Sequence, residues 1–544
     1  MWQMVSKPNE FVRYSDDLPP NPGRRRRLLE EAGEPGGSPF PPGRTLLSAP
    51  ADDAGGSLSR RGRVLLHGDM GTTGAEQYMG GRLLGGGTSI NGEQDVWPTA
   101  RLLTTLAATV GDPAWGPTPV YDLLRQLETF AGTSSQPRGT SGPLNVRQAP
   151  TNPTSDGRAN DFVAALSAVF GPNGSAPGFD VPTVQDYNNP ATPLSIFTQW
   201  QLTQQPGGAR ASASTALLTP AVRARPNLVI ATRATAMRVL FDAEVEGAKP
   251  VVRGVEYTQS GAGKVAYARR EVIVCAGHRS SLLLETSGVG DPAIIGPLLA
   301  AVGRRVVAPL PGVGKGLMND GIVLVALNAT GASAGGFAPD DLYGGGAFLP
   351  WPNAASAPTA GGPSARFTQF IGAPALYDAA YGGTPTFGVG ALLLNTTSKG
   401  EAHIQSADPL YEPLVRVATF NTEADQANWL YAVKDQLWPV VQAMEVAGYK
   451  LLAPESTVLD GSDADATLDW VFATHTPSHH WTGTCSMGLD PAAGAVVDSA
   501  GRVHGVTGLR VADASIYPLK LDGNTGIPAY IAGGTIARKI LAGS

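Results

Sequence analysis

The sequence predicts a mixed α/β chain, on three observations. β-rich runs follow one another through its middle, at 228–231, 237–241, 251–258 and 271–275. A long amphipathic helix is expected over 423–445, where Trp429, Leu430, Val433, Leu437, Val440 and Val441 recur at helical spacing. The C-terminal stretch reads as a strand (509–512), an acidic turn at Asp513, a loop through Pro518 and Gly523-Asn524, and a final helix. A strand that feeds an acidic turn and then a helix N-terminus suits a polar cofactor, because free backbone N–H groups collect there.

Composition bounds the answer. A chain of 544 residues is long enough for two intertwined domains. Its 42% hydrophobic and 16% charged residues are an ordinary globular balance. A net charge of -6 leaves no basic excess to neutralise phosphates, which argues against a nucleic-acid partner. No apolar run approaches the length of a membrane span. The 68 glycines and 45 prolines imply many loops and tight turns. Cys275 and Cys485 form no C-x-x-C pair, so neither a zinc site nor a disulfide framework is expected.

In chain order, residues 1–23 are polar and proline-rich, without a signal-peptide core. Arg24 to Arg27 read as a solvated charge run. A short apolar segment at 62–70 carries His67, and a glycine-rich loop follows at 81–92. Apolar residues three and four apart predict helices at 102–110 and 120–130, and a shorter one at 161–170. Residues 132–158 and 331–365 read as long surface loops, the first a candidate lid. Short β-like runs over 366–420, including 387–394 and 414–420, fit an antiparallel sheet. Gly261-Ala262-Gly263-Lys264-Val265-Ala266 is followed by a strand rather than a helix and reads as a hairpin turn, not a phosphate cradle. The Gly314-Lys315 pair lacks the glycine spacing of a nucleoside-triphosphate loop.

Three segments carry specific patterns. His480-Trp481-Thr482-Gly483-Thr484-Cys485 places a histidine three residues before Gly-Thr. Gly81-Arg82-Leu83-Leu84-Gly85-Gly86-Gly87-Thr88-Ser89-Ile90-Asn91-Gly92 lets backbone come close to a ligand. Cys275-Ala276-Gly277 runs on to Ser287-Gly288-Val289-Gly290. Over most of residues 28–544 the chain resembles the glucose-methanol-choline (GMC) flavin oxidoreductases, through the signatures held in these segments.

The resemblance implies FAD, held by a discontinuous Rossmann-like domain with an antiparallel-sheet substrate domain inserted into it. The implied division is an irregular N-terminus (1–27), flavin-binding parts at 28–110, 211–330 and 479–544, and substrate-domain parts at 111–210 and 331–478. His480 would face the flavin with Asn524 beside it. Glu31 would hold the adenosine ribose, with Glu30 a poorer match, and Ala236 would touch the adenine through backbone. Arg82, Gly85, Gly86, Thr88, Asn91, Gly92, Glu93, Asp513, Ala514 and Thr525 would complete the cofactor site. Asp95 stands where the family usually places an aromatic residue. The 275–290 segment is one residue short, so His278 is read as a loop histidine. His504 is read as structural, and Cys275 and Cys485 as buried thiols without a chemical role. Only Gly23 precedes Gly33, so the G-x-G-x-x-G turn that cradles the diphosphate is absent. The expectation is a truncated or divergent chain that holds FAD weakly or not at all.

The chemistry follows from residue types. Oxidising an alcohol takes a proton from oxygen and a hydride from carbon. No side chain accepts a hydride, so a flavin is required. Imidazole is the natural base near neutral pH, and an amide such as Asn524 holds the substrate oxygen without titrating. The expected activity is FAD-dependent oxidation of a small-molecule alcohol, with oxygen or a quinone-type acceptor reoxidising the flavin. Two alternatives stand beside it: a cyanohydrin-lyase activity on the same scaffold, and an inactive homologue unable to hold FAD.

Overall fold

The computed structural model describes residues 59–65, 75–149, 157–242, 248–330, 343–351, 366–374, 381–394, 396–417 and 419–543. Glu30, Glu31, His67 and the arginine run lie outside them. Two large apolar cores organise the described residues. One surrounds a parallel strand pair, Val272–Val274 beside Leu509–Val511. Helices Ala100–Val110, Pro117–Leu127 and Gly526–Leu541 pack there. The last buries Ile527, Ile531, Ala532, Thr535 and Ile536, a stripe at helical spacing. Thr99 caps the first of these helices by accepting from Leu102 N–H, and left-handed Gly111 ends it. Among the described residues the parallel pair has no further strand.

The second core lies on one face of an eight-stranded sheet. Its main path runs Lys450–Ala453, Gly321–Asn328, Thr386–Leu393, Arg366–Pro374, Gly346–Pro350, Ser195–Phe197 and Thr183–Val184. Thr476–Pro477 pairs off that path with Gly321–Asn328. Every pairing is antiparallel except the last of the path. Strand alternation divides the side chains. Val323, Val325 and Leu327 meet helices Gly157–Phe170 and 423–446, while Ile322 enters a smaller aromatic cluster on the opposite face. Each such buried aliphatic or aromatic side chain contributes about 1.5–3 kcal/mol.

Several expectations shift. The 423–445 helix exists, but its middle widens into a π segment at Ala432–Leu437. Pro439 follows after Trp438; it lacks an N–H and its ring crowds the preceding turn, which the wider turn relieves. Leu430 is only half-buried, and Met444 joins the apolar face instead. Phe130 leaves the helix for strand Glu128–Ala131, and part of the expected 132–158 loop is strand Leu144–Gln148. Residues 228–231 belong to no strand; the hairpin partner of Val252–Gln259 is Ala234–Phe241. The run at 261–266, expected to be a turn, is mostly the strand Ala262–Tyr267; the hairpin that joins it to Val252–Gln259 turns through Ser260 and Gly261, both at positive φ.

Candidate active site

Sheet register builds the centre of the site. Thr476–Pro477 pairs with Gly321 and Ile322, and Ser478 N–H donates to the Asp320 carbonyl at 2.9 Å. His479 then turns through a left-handed φ of 59°, and His480 arrives beside the head of the 321–328 strand. Its backbone N–H donates to Asn319 Oδ1 at 2.8 Å. Its Nδ1 lies 2.5 Å from Asp320 Oδ2. Lys520 Nζ pairs with the other oxygen of that carboxylate, and all three side chains are buried. Because a carboxylate only accepts, Nδ1 carries the proton and Nε2 presents its lone pair.

Asn524 stands against that lone pair, with Nδ2 at 3.1 Å from His480 Nε2. Gln94 Oε1 accepts from Nδ2 at 2.5 Å, and Gln369 Nε2 donates to Oδ1 at 3.2 Å. Gln369 points this way because it alternates with Thr368, whose hydroxyl donates to Gln436 on the long helix behind the sheet. The structure thus brings together His480 and Asn524, which sequence reasoning singled out, with Asp320, Lys520, Gln94 and Gln369, which it missed. Two signals were present. Lys520 is a charge set between Leu519 and Leu521, and Gln369 interrupts an apolar β run.

The glycine-rich loop folds as a 3-10 turn, Gly86–Ser89. Gly85 has a φ of 90°, and a Cβ there would fall 2.2 Å from Ser89 Oγ. Thr88 donates to the Gly85 carbonyl and accepts from Ala213 N–H, tying the loop to helix Ala213–Leu217. Asn91 Oδ1 accepts from Arg210 at 2.8 Å, and the Gly92 carbonyl accepts from Tyr343 at 3.2 Å. Arg82 donates to Thr235 Oγ1 at 2.7 Å, next to Ala236 on the 234–241 strand. The Glu93 carboxylate is engaged by Arg210 at 3.3 Å and Gln204 at 2.6 Å.

Asp513 sits at the end of the parallel pair. It accepts from Gly277 N–H at 2.9 Å, from Ser280 at 2.6 Å and from Ser515 N–H at 2.9 Å; burial raises its carboxyl above the ordinary range. Ala514 begins the short turn Ala514–Ile516. Thr525 precedes the final helix and gives it no side-chain cap.

Asp95 has partners other than the reacting pair. It bonds Arg138 at 3.1 Å and Asn188 at 3.0 Å, and Arg138 also pairs with Glu128 and Asp186. Burial pushes Asp95 up to about 7, against the pull of Arg138. His479 is pushed down to about 4 by burial, with His480 adding to the effect. His504 bonds the Gly488 carbonyl at 3.0 Å, a turn contact. Burial raises both cysteine thiols, Cys275 to about 12.

The residues present fit the ring-bearing end of FAD. Ser478 Oγ, His479 Nδ1 and Thr482 Oγ1 are buried without a partner among the described residues. A Cβ at Gly87 or Gly277 would meet nothing within 4 Å. The 16-residue final helix opens on Gly526 with its first N–H groups uncapped. For the diphosphate end, the described residues offer no glycine turn of the G-x-G-x-x-G kind.

Solved structures share this architecture. A pyridoxine 4-oxidase from "Mesorbium loti" superposes with a TM-score of 0.74 at 22% identity, covering 89% of each chain. A fungal aryl-alcohol oxidase gives 0.72 at 19% identity, again over 89% of each. These likenesses establish the fold. The sequence models of the GMC oxidoreductase family match residues 64–320 and 396–533. An uncharacterized GMC-type oxidoreductase of Mycobacterium bovis is 31% identical over 479 residues, covering 83% of both chains. An oxygen-dependent choline dehydrogenase of Rhizobium johnstonii is 30% identical over 491 residues, covering 85% of this chain and 81% of that one. The chain belongs to the GMC oxidoreductase family, whose cofactor is FAD. Among the described residues no helix is long and apolar enough to cross a membrane.

Proposed function

We propose that this chain oxidises the CH–OH group of a small-molecule alcohol, with His480 as the base and Asn524 as the group that holds the substrate oxygen. The observation that carries the reading is the contact between His480 Nε2 and Asn524 Nδ2 at 3.1 Å, with Nδ1 held by Asp320. A substrate hydroxyl that replaces this contact, with the two side chains parting to admit it, would accept from Asn524 Nδ2–H and donate to His480 Nε2. Its proton passes to Nε2, and Asp320 stabilises the imidazolium that forms. FAD supplies the two-electron acceptor for the hydride. Arg82, Gly85, Gly86, Thr88, Asn91, Gly92, Asp513, Ala514 and Thr525 would hold its ring-bearing end, and Ala236 its adenine. Glu93 would act by shaping the loop, since Arg210 and Gln204 engage its carboxylate. Oxygen or a quinone-type acceptor would close the cycle, as the named dehydrogenase and oxidase relatives suggest. We also read the two large cores as the flavin and substrate domains.

The test is anaerobic addition of an alcohol to flavin-loaded protein. The yellow colour should bleach, and His480→Ala should slow bleaching by about 10²- to 10⁴-fold while leaving bound flavin in place. Bleaching at the wild-type rate in the variant refutes the base assignment. A loaded protein that no alcohol bleaches favours lyase chemistry, and a protein that stays colourless with added FAD favours the inactive homologue.

A further inference from the structure

Hydrogen-bond polarity in this site is fixed outward from Asp320, and it leaves two atoms over. His480 Nδ1 donates to the carboxylate, so Nε2 accepts. Asn524 must then face Nε2 with its Nδ2. Its Oδ1 consequently accepts from Gln369 Nε2, and its second N–H goes to Gln94 Oε1. Each glutamine is committed through one end of its amide. The other ends, Gln94 Nε2 and Gln369 Oε1, are buried and have no partner among the described residues. One is a donor and the other an acceptor. Both are neutral, and both belong to amides in direct contact with Asn524.

The carboxylates nearby do not change that character. Glu93 is paired with Arg210, Asp95 with Arg138, and Asp320 with Lys520. A buried amide left unpaired in the bound state is costly, and a site built to hydrogen-bond a ligand group discriminates against ligands that lack it.

We propose that Gln94 Nε2 and Gln369 Oε1 recognise a second hydroxyl of the substrate, so that vicinal diols are preferred over simple alcohols and over quaternary-ammonium alcohols. The inference rests on the alcohol-oxidation reading above. A hydroxyl can satisfy either atom, accepting from Gln94 Nε2 or donating to Gln369 Oε1. A trimethylammonium group can do neither and leaves both amide ends unpaired.

The test compares propane-1,2-diol, propan-1-ol and choline on flavin-loaded protein. The diol should exceed propan-1-ol in kcat/KM by about ten- to a hundredfold. Gln94→Leu should bring that ratio to about one. Gln94→Glu keeps an oxygen for Asn524 but replaces the free donor with an acceptor, and should move the ranking toward choline. Saturation-transfer NMR supplies a readout apart from turnover: the diol should bind wild-type protein more strongly than propan-1-ol, and Gln94→Leu should lose the difference. Equal kcat/KM for diol and propan-1-ol in the wild type overturns the proposal. So does a Gln94→Leu variant that keeps the diol preference and instead shifts the flavin absorption, which would place Nε2 on the cofactor. If no alcohol bleaches the flavin, the functional reading fails, and the NMR comparison still decides for or against diol recognition.

Discussion

Asp320→Asn isolates what orients the base. The replaced oxygen is the one 2.5 Å from His480 Nδ1. An amide N–H there favours the opposite tautomer, with Nε2–H facing Asn524 Nδ2–H and no lone pair for the substrate proton. The lost charge-assisted bond is worth about 1.5–3 kcal/mol. Stabilisation of the imidazolium is worth about 3 kcal/mol more, for charges roughly 5 Å apart at an effective dielectric of about 20. Lys520 offsets part of that second contribution. At about 1.4 kcal/mol per tenfold, the rate of flavin reduction should fall about 10²- to 10⁴-fold. The same substitution strands the buried Lys520 ammonium, at a cost of about 3–5 kcal/mol in stability. Asp320→Asn/Lys520→Met should therefore recover most of the thermal stability and none of the rate. Stopped-flow reduction under anaerobic conditions measures the first effect and thermal unfolding the second. Wild-type reduction by Asp320→Asn, or recovery of the rate in the double variant, refutes the positioning role.

Two further predictions concern groups on either side of this one. Asn524→Ala should lower kcat by about ten- to a thousandfold with a smaller change in KM, because it removes an N–H that strengthens its bond as the substrate oxygen becomes negative; a change in KM alone would show a binding role only. Asn524→His, which keeps an N–H donor, should retain measurable turnover. For Asp95, the folded value of about 7 lies above the ordinary carboxylate value near 4, so the folded state binds the proton more tightly than the unfolded chain. The stability this contributes is complete below about pH 4 and is lost as pH rises through about 7. Asp95→Asn carries no such loss, and Arg138 keeps Glu128 and Asp186. Its melting temperature relative to wild type should rise between pH 5 and pH 8, and a pH-independent difference would refute the assignment.

The sequence exposed whatever is written in local spacing. The helix that contains Trp429 and Val433, the turn at Ser260-Gly261, and the strand-turn-helix around Asp513 all rest on residues within a few positions of each other. His480 and Asn524 were legible because each lies inside a contiguous pattern. Asp320 is 160 positions from His480, and only the antiparallel register of Thr476–Pro477 on Gly321–Ile322 brings them together. Gln94 and Gln369 are likewise set by pairings that span the chain. One-dimensional periodicity holds no record of such register. Asp95 shows the converse. It stands where the family usually places an aromatic residue, and Arg138, arriving from the stretch read as a surface loop and candidate lid, pairs with its carboxylate.

Lys520 explains how the polarity of the site can stay fixed. Burying a carboxylate without a countercharge is costly. The ammonium of Lys520 on the second oxygen of Asp320 offsets that cost by direct charge attraction and helps hold the carboxylate in place as the acceptor for Nδ1–H. Its position among apolar neighbours, costly by itself, is then consistent with its purpose. Lys520→Met alone should leave the described contacts of His480 in place and yet hold Asp320 less firmly, so it should lower the rate of flavin reduction, and by less than Asp320→Asn does. A rate equal to that of the wild type would show that Asp320 orients His480 without help.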